Sequence, residues 1–308
     1  MGGALGGMDD SLPEFCGLLK SLAELNGSVA WLIMVWSQGS LILPRLGTEG
    51  RGLLLRGPDV PLISATSAGC GVLTQKLGTF RVSGRWDYVS GICHAKWVLV
   101  HCEDGASGRT IGVALPADVL RIDRTWRVMG LEGTGSHTVV ADGIVIRPEQ
   151  VYALDEFADS SILTRHHHLP QRMAFALHIA AVCLGLASGA MNDLGSVRNP
   201  HADHLGSLAA QLMMAESAFE RTCDKVWFGE GENDWRETEV AGLARAICQT
   251  ALSVTQGVFS LAGSRANFTA SPVQRRLRDV LAASSHANVD ARRFATLGEA
   301  LIRRRGVT

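Results

Sequence analysis

The hydrophobic period of the chain changes at Arg147-Pro148 and does not change back, which sharply limits the folds open to it. Beyond that point apolar residues recur at three- and four-residue steps. Met173, Leu177, Ala180 or Ala181, Leu184, Ser188 and Met191 mark one face of a long helix. Leu205 to Phe228, Glu237 to Leu261 and Pro272 to Arg303 supply three more. Four long helices joined by short connections predict an antiparallel bundle.

Upstream the texture differs. From Gly47 to about Pro148, Gly, β-branched residues and short apolar runs predominate, and Phe80 to Trp86, Lys96 to Cys102, Thr110 to Leu115 and His137 to Ile146 read as strands. Before them, Leu12, Phe15, Leu18 or Leu19, Leu22 and Leu25 set a helical period within Asp9 to Leu46. Asn26-Gly27-Ser28 breaks and restarts it, with Ser28 the expected N-cap. The expected fold is α+β: a partial N-terminal helical domain over 1–58, a middle β-barrel or sandwich domain over 59–150, and a C-terminal four-helix bundle over 151–308.

Lys and Arg number 29 against 30 for Asp and Glu, so no net field gathers nucleic acid or an anionic membrane. A small molecule is the expected partner. The apolar run Val29 to Trp36 ends at Ser37-Gln38-Gly39-Ser40, short of the ~20 residues a span requires, and no basic segment precedes it. Seven scattered cysteines, none in a CxxC pair, read as reduced thiols. The expected location is the cytoplasm.

Three ordered motifs carry more specific information. Ser83-Gly84-Arg85-Trp86-Asp87-Tyr88-Val89-Ser90-Gly91-Ile92-Cys93-His94-Ala95-Lys96-Trp97 is the first. Gly130-Leu131-Glu132-Gly133-Thr134-Gly135-Ser136-His137, an apolar strand and Arg147-Pro148 form the second. The third comprises Leu261-Ala262-Gly263-Ser264, Gln274-Arg275-Arg276-Leu277-Arg278-Asp279 and Ser285-His286. Together they resemble the flavin-dependent monooxygenases built on the acyl-CoA dehydrogenase fold, and Asn26-Gly27-Ser28-Val29-Ala30-Trp31 resembles that family's first-domain "DGS-AW" segment. The resemblance runs from about Gly6 to the C-terminus. Helices that open the family's N-terminal domain have no counterpart after Met1, so that domain is expected to be shortened. The acidic base motif of the dehydrogenases is not found, and His286 occupies the region instead.

The resemblance implies a two-component aromatic hydroxylase. A separate flavin reductase would supply reduced FMN or FAD by diffusion, and an aromatic or polycyclic substrate would be hydroxylated through a flavin C4a-hydroperoxide. It also implies a homotetramer or homodimer. Two other readings stay open: a dehydrogenase or oxidase of the same fold, and a repurposed flavin-free ligand-binding scaffold.

By the same resemblance, Ser90 protects the flavin N5 region, with Gly91 beside it, and converges with His286 on the isoalloxazine ring from opposite sides. Alternation along a strand would set Trp86 and Tyr88 on one face as a wall for that ring, although a buried strand with a turn serine reads the same way. An imidazole with a pKa of ~6.5 suits His286 to take a phenol proton or orient the peroxide. Gly133, Thr134, Gly135 and Ser136 form a turn able to present N–H donors, or simply one that reverses a strand. The resemblance would place Ser64, Thr66 and Ser67 in the family's first flavin-contacting loop, although a Ser/Thr-rich surface turn reads the same way, and would bring Gly263 and Ser264 to the cofactor from a helix end. Arg198, by its position after the first bundle helix, would meet a flavin phosphate across a subunit boundary. Arg275 and Asp279, four residues apart, form an expected ion pair. His166-His167-His168, His201 with His204, and Cys93-His94 with His101-Cys102 lack zinc-like spacing. No Gly-x-Ser-x-Gly elbow follows a strand.

Overall fold

The computed structural model describes residues 10–57, 59–76, 78–194, 201–229 and 237–304. It contains α1 (Leu12–Leu25), α2 (Gly27–Ser40), α3 (Thr48–Leu54), β1 (Ile63–Ala65), β2 (Gly69–Lys76), β3 (Thr79–Val89), β4 (Trp97–Asp104), β5 (Thr110–Pro116), β6 (Arg121–Asp123), β7 (His137–Ile146) and β8 (Val151–Tyr152). Then follow α4 (Arg165–His168), α5 (Gln171–Asp193), α6 (Ala202–Phe228), α7 (Glu237–Ala262), α8 (Pro272–Ser284) and α9 (Arg292–Arg304). By packing, Leu32–Arg127 and Glu132–His167 form a sheet unit, while Asp10–Trp31, Val128–Leu131 and His168–Thr308 form a helical unit.

The sheet unit holds one mixed sheet of eight strands in the order β6-β7-β3-β2-β4-β5-β8, with β1 also pairing with β4. β1 and β2 run parallel to β4; the remaining pairs are antiparallel. Alternation along β4 serves both faces, because Val98, Val100 and Cys102 join the core around Trp86, Leu115 and Val139 while Leu99 turns the other way. Leu43, Leu46 and Leu54 cover that second face beside Ile63, Ala114 and Tyr152. β2 was invisible to periodicity because only Gly71 and Leu73 of its eight residues are buried.

Trp86 and Tyr88 do not share a face. The β3–β7 register shifts between Trp86 and Val89, and Tyr88 adopts φ 58°, so the strand bulges there and its alternation is lost. Tyr88 is 65% exposed, whereas Trp86 is 0% exposed. The Trp86 indole lies over Gly71 and Gly84, where an added Cβ would come within 2.3 Å and 2.8 Å of it, and its Nε1–H donates to the His101 carbonyl at 2.8 Å. Trp86 is therefore a core residue and not a wall for an isoalloxazine.

The helical unit is built around α5, whose residues from Met173 to Ala190 are almost all buried, with α1, α6, α7 and α8 packed against it. Both α5 and the stretch Gly27–Arg45 are long and apolar enough to cross a membrane, but most of α5 is buried inside the protein. The restart of α2 is capped by Asn26, not Ser28: the Asn26 Oδ1 accepts N–H bonds from Ser28 at 3.0 Å and Val29 at 3.3 Å.

The helix expected over Pro272 to Arg303 is two helices. Arg245 of α7 donates to the carbonyls of Ser284 and Val289, each at 3.3 Å, and so satisfies groups left without helical partners at the break. Val289 is fully buried and anchors the connection, and the Asp290 carboxylate accepts the Arg292 N–H at the start of α9. Asp279 likewise departs from expectation. It turns inward to accept the Leu131 N–H at 2.6 Å and is not ion-paired with Arg275. Burial raises its carboxyl pKa, opposed by that hydrogen bond and by the nearby Arg275, Arg278 and Arg276.

Candidate functional site

Four hydroxyl residues drawn from three distant stretches of sequence meet in the sheet unit. Ser64 on β1 donates its Oγ–H to the Ser90 carbonyl at 2.7 Å. Ser90 and Ser136 hydroxyls lie 2.7 Å apart, and Ser136 lies 2.8 Å from Thr134 Oγ1. All four residues are buried. Because a hydroxyl both donates and accepts, Ser90, Ser136 and Thr134 form a relay whose direction can reverse.

Pairing of β3 with β7 brings these residues together. It ends at Val89 and His137, so the turns that follow β3 and precede β7 leave the sheet side by side. A backbone bond from Gly91 N–H to the Thr134 carbonyl, 2.8 Å, ties the two turns. Gly91 has φ 74°, and an added Cβ would meet the Trp36 indole at 2.6 Å. Only glycine satisfies both conditions. Thr66 braces the same strand end by donating to the Asp87 carbonyl at 2.9 Å while accepting the Ala68 N–H at 3.0 Å. It stands outside the relay.

Sequence reasoning passed over Trp36, treating it as the end of an apolar run. Its indole lies edge-on to His94, with ring centroids 6.4 Å apart, and its buried Nε1 has no hydrogen-bond partner among the described residues.

His286 lies in the helical unit, in the break between α8 and α9. Its ring is half-buried between Trp31, 5.8 Å away by centroid, and Phe175, 5.4 Å away. Nδ1 accepts the Asn288 N–H at 3.2 Å, so in the neutral ring the proton resides on Nε2. The neutral side chain thus offers an N–H donor, which favours orienting an oxygen over accepting a phenol proton. Burial lowers the imidazole pKa, with Asp290 raising it and Arg293 lowering it. An NMR titration of His286 is therefore expected to give a midpoint below the ordinary value of ~6.5; a midpoint at or above that value contradicts the burial argument. The unfolded chain takes up this proton first as pH falls, so the contribution to stability is present above ~6.5 and is lost downward toward the folded midpoint.

The remaining sequence candidates stand apart. Tyr88 is exposed and packs edge-on against Trp126 at 6.2 Å. Gly263, at φ 63°, and Ser264 are exposed at the end of α7. Arg198 lies outside the described residues. Among the described residues no group of three His, Cys, Asp or Glu is placed to hold a metal ion.

Residues 198–291 match the family model described as acyl-CoA dehydrogenase, C-terminal domain. Over 316 residues the chain is 24% identical to the flavin-dependent monooxygenase, oxygenase subunit HsaA, of Rhodococcus jostii, covering 91% of this chain and 81% of that protein. It is 25% identical over 306 residues to indole-3-acetate monooxygenase of Acinetobacter baumannii, covering 92% and 78%. The fold superposes on XiaF from Streptomyces, solved with FADH2 and glycerol, with a TM-score of 0.86 at 19% identity over 98% of this chain and 84% of that one.

Proposed function

We propose that this chain, whose residues 198–291 match the acyl-CoA dehydrogenase C-terminal domain and which is similar along most of its length to flavin-dependent oxygenase subunits, is an oxygenase component that hydroxylates an aromatic or polycyclic small molecule. The observation that carries this reading is the buried meeting of Ser64, Ser90, Thr134 and Ser136. A bare strand-end turn has no need of a three-hydroxyl relay, whereas the polar edge of a flavin offers both acceptors and a donor to it.

The residues fit the group in a second respect. The Trp36 Nε1 beside Gly91 is a buried donor that no described residue accepts from. Bound reduced flavin would supply the electrons with which dioxygen is activated and one oxygen atom enters the substrate. Ser90 and Gly91 would hold its polar edge, and the relay would let Ser90 donate or accept as the flavin's protonation changes. His286, neutral at physiological pH and carrying its proton on Nε2, would donate to an oxygen of the substrate or of dioxygen. The half-buried setting between Trp31 and Phe175 would limit water at that nitrogen.

The cofactor in this reading is reduced FMN or FAD delivered by a separate reductase. We place the protein in the cytoplasm, in keeping with seven free cysteines, and as a homotetramer or homodimer.

The test mixes the protein anaerobically with reduced flavin and a panel of phenols and indoles, then admits isotope-labelled dioxygen. A product containing one labelled oxygen atom is the expected result. Reduction of bound oxidised flavin by substrate alone would identify a dehydrogenase or oxidase instead. Absence of flavin binding would leave the ligand-binding scaffold.

A further inference from the structure

The carbonyls of the turn under Trp36 are all engaged. Tyr88 C=O accepts the Ser90 N–H at 2.9 Å, and Val89 C=O accepts the Ile92 N–H at 3.3 Å. Ser90 C=O receives the Ser64 hydroxyl at 2.7 Å, and Gly91 C=O receives both the His94 N–H at 2.9 Å and the Ala95 N–H at 3.1 Å. Against this saturated turn the Trp36 indole presses closely enough to exclude any side chain at Gly91, yet its own buried N–H has no partner among the described residues. A buried donor left unpaired costs free energy, and Phe would fill the same space over Gly91 without that cost. The indole is thus not a staple of the turn.

We propose that the Trp36 Nε1–H is a ligand-facing donor that bonds a carbonyl oxygen or ring nitrogen of the flavin held at the Ser90–Gly91 turn. This assignment rests on the flavin reading above and adds a residue to it. The flavin pyrimidine ring is the chemistry that suits the position, since its acceptors lie along one planar edge and an indole N–H provides one directed donor without charge. The Trp36 ring meanwhile remains packed against Gly91 and edge-on to His94.

The test compares the full chain with Trp36→Phe, which keeps an aromatic ring over Gly91 and removes the N–H. Reduced FMN and reduced FAD are titrated anaerobically against both, and thermal unfolding of each protein is recorded. The expected result is an unfolding temperature no lower than that of the unsubstituted protein and a dissociation constant raised about five- to tenfold, the scale of one lost hydrogen bond. A second measurement uses isotope-labelled tryptophan in the unsubstituted protein: the indole N–H resonance absent from Trp36→Phe is expected to shift on adding flavin. Equal flavin affinity with an unmoved resonance, the outcome if the N–H bonds only a buried water, overturns the role of Trp36 while leaving the flavin reading in place. If the unsubstituted protein binds neither flavin, both fall.

Discussion

Replacing Trp86 with alanine is expected to destabilise the sheet unit by about 3–5 kcal/mol, the range for removing a fully buried large aromatic side chain. Trp86 is 0% exposed, and two glycines, Gly71 on the neighbouring strand β2 and Gly84 on β3 itself, leave room for its ring. Alanine would leave a cavity those glycines cannot fill and would strand the His101 carbonyl that accepts the indole N–H at 2.8 Å. Trp86→Phe keeps most of the packing and loses the hydrogen bond, so its cost is expected to be about 1–3 kcal/mol. Urea unfolding followed by tryptophan fluorescence and circular dichroism checks both values. Flavin affinity of Trp86→Phe is expected to equal that of the unsubstituted chain; a selective loss of affinity with stability intact would return Trp86 to the binding site.

Replacing His286 with alanine is expected to reduce hydroxylation by about 10²- to 10⁴-fold, the range for loss of a positioned proton donor or acceptor. The fold is expected to survive, because the ring is half-buried in a connection independently held by Arg245 and Val289. Since Nδ1 is occupied by the Asn288 N–H, the loss should fall on the function of Nε2 as a donor. His286→Gln, which carries a neutral N–H donor, is therefore expected to recover part of the rate, whereas a carboxylate in His286→Glu is not. Product yield per dioxygen consumed is the readout. Unchanged turnover in His286→Ala would remove this residue from the chemistry, and equal recovery by Gln and Glu would refute the donor role.

Much of this architecture was legible in the residues themselves. Helical period located α1, α5, α6 and α7, and alternation with β-branched residues located β3, β4, β5 and β7. The resemblance also pointed to Ser64, Ser90, Thr134 and Ser136, which the fold gathers into one buried cluster. Local patterns identify such segments because they record which face of an element meets the core, and the motif residues stand at the ends of those elements.

What sequence pattern could not convey depends on contacts between distant residues. Trp86 points inward and Tyr88 outward because the backbone bulges between them, and the bulge is set by pairing with β7 about fifty residues away. The sequence reads as one helix through Ser285 and Asn288, yet the chain breaks there, and Arg245 of α7 satisfies the carbonyls that the break exposes. Trp36 reads as one more apolar residue until the fold sets its indole over Gly91. Hydrophobic period thus determined which segments are helices and strands, since it is written in nearest neighbours. The inward or outward direction of each aromatic, the position of His286 and the partner of each buried donor were decided only by tertiary packing, where energies arise between residues that the chain order keeps apart.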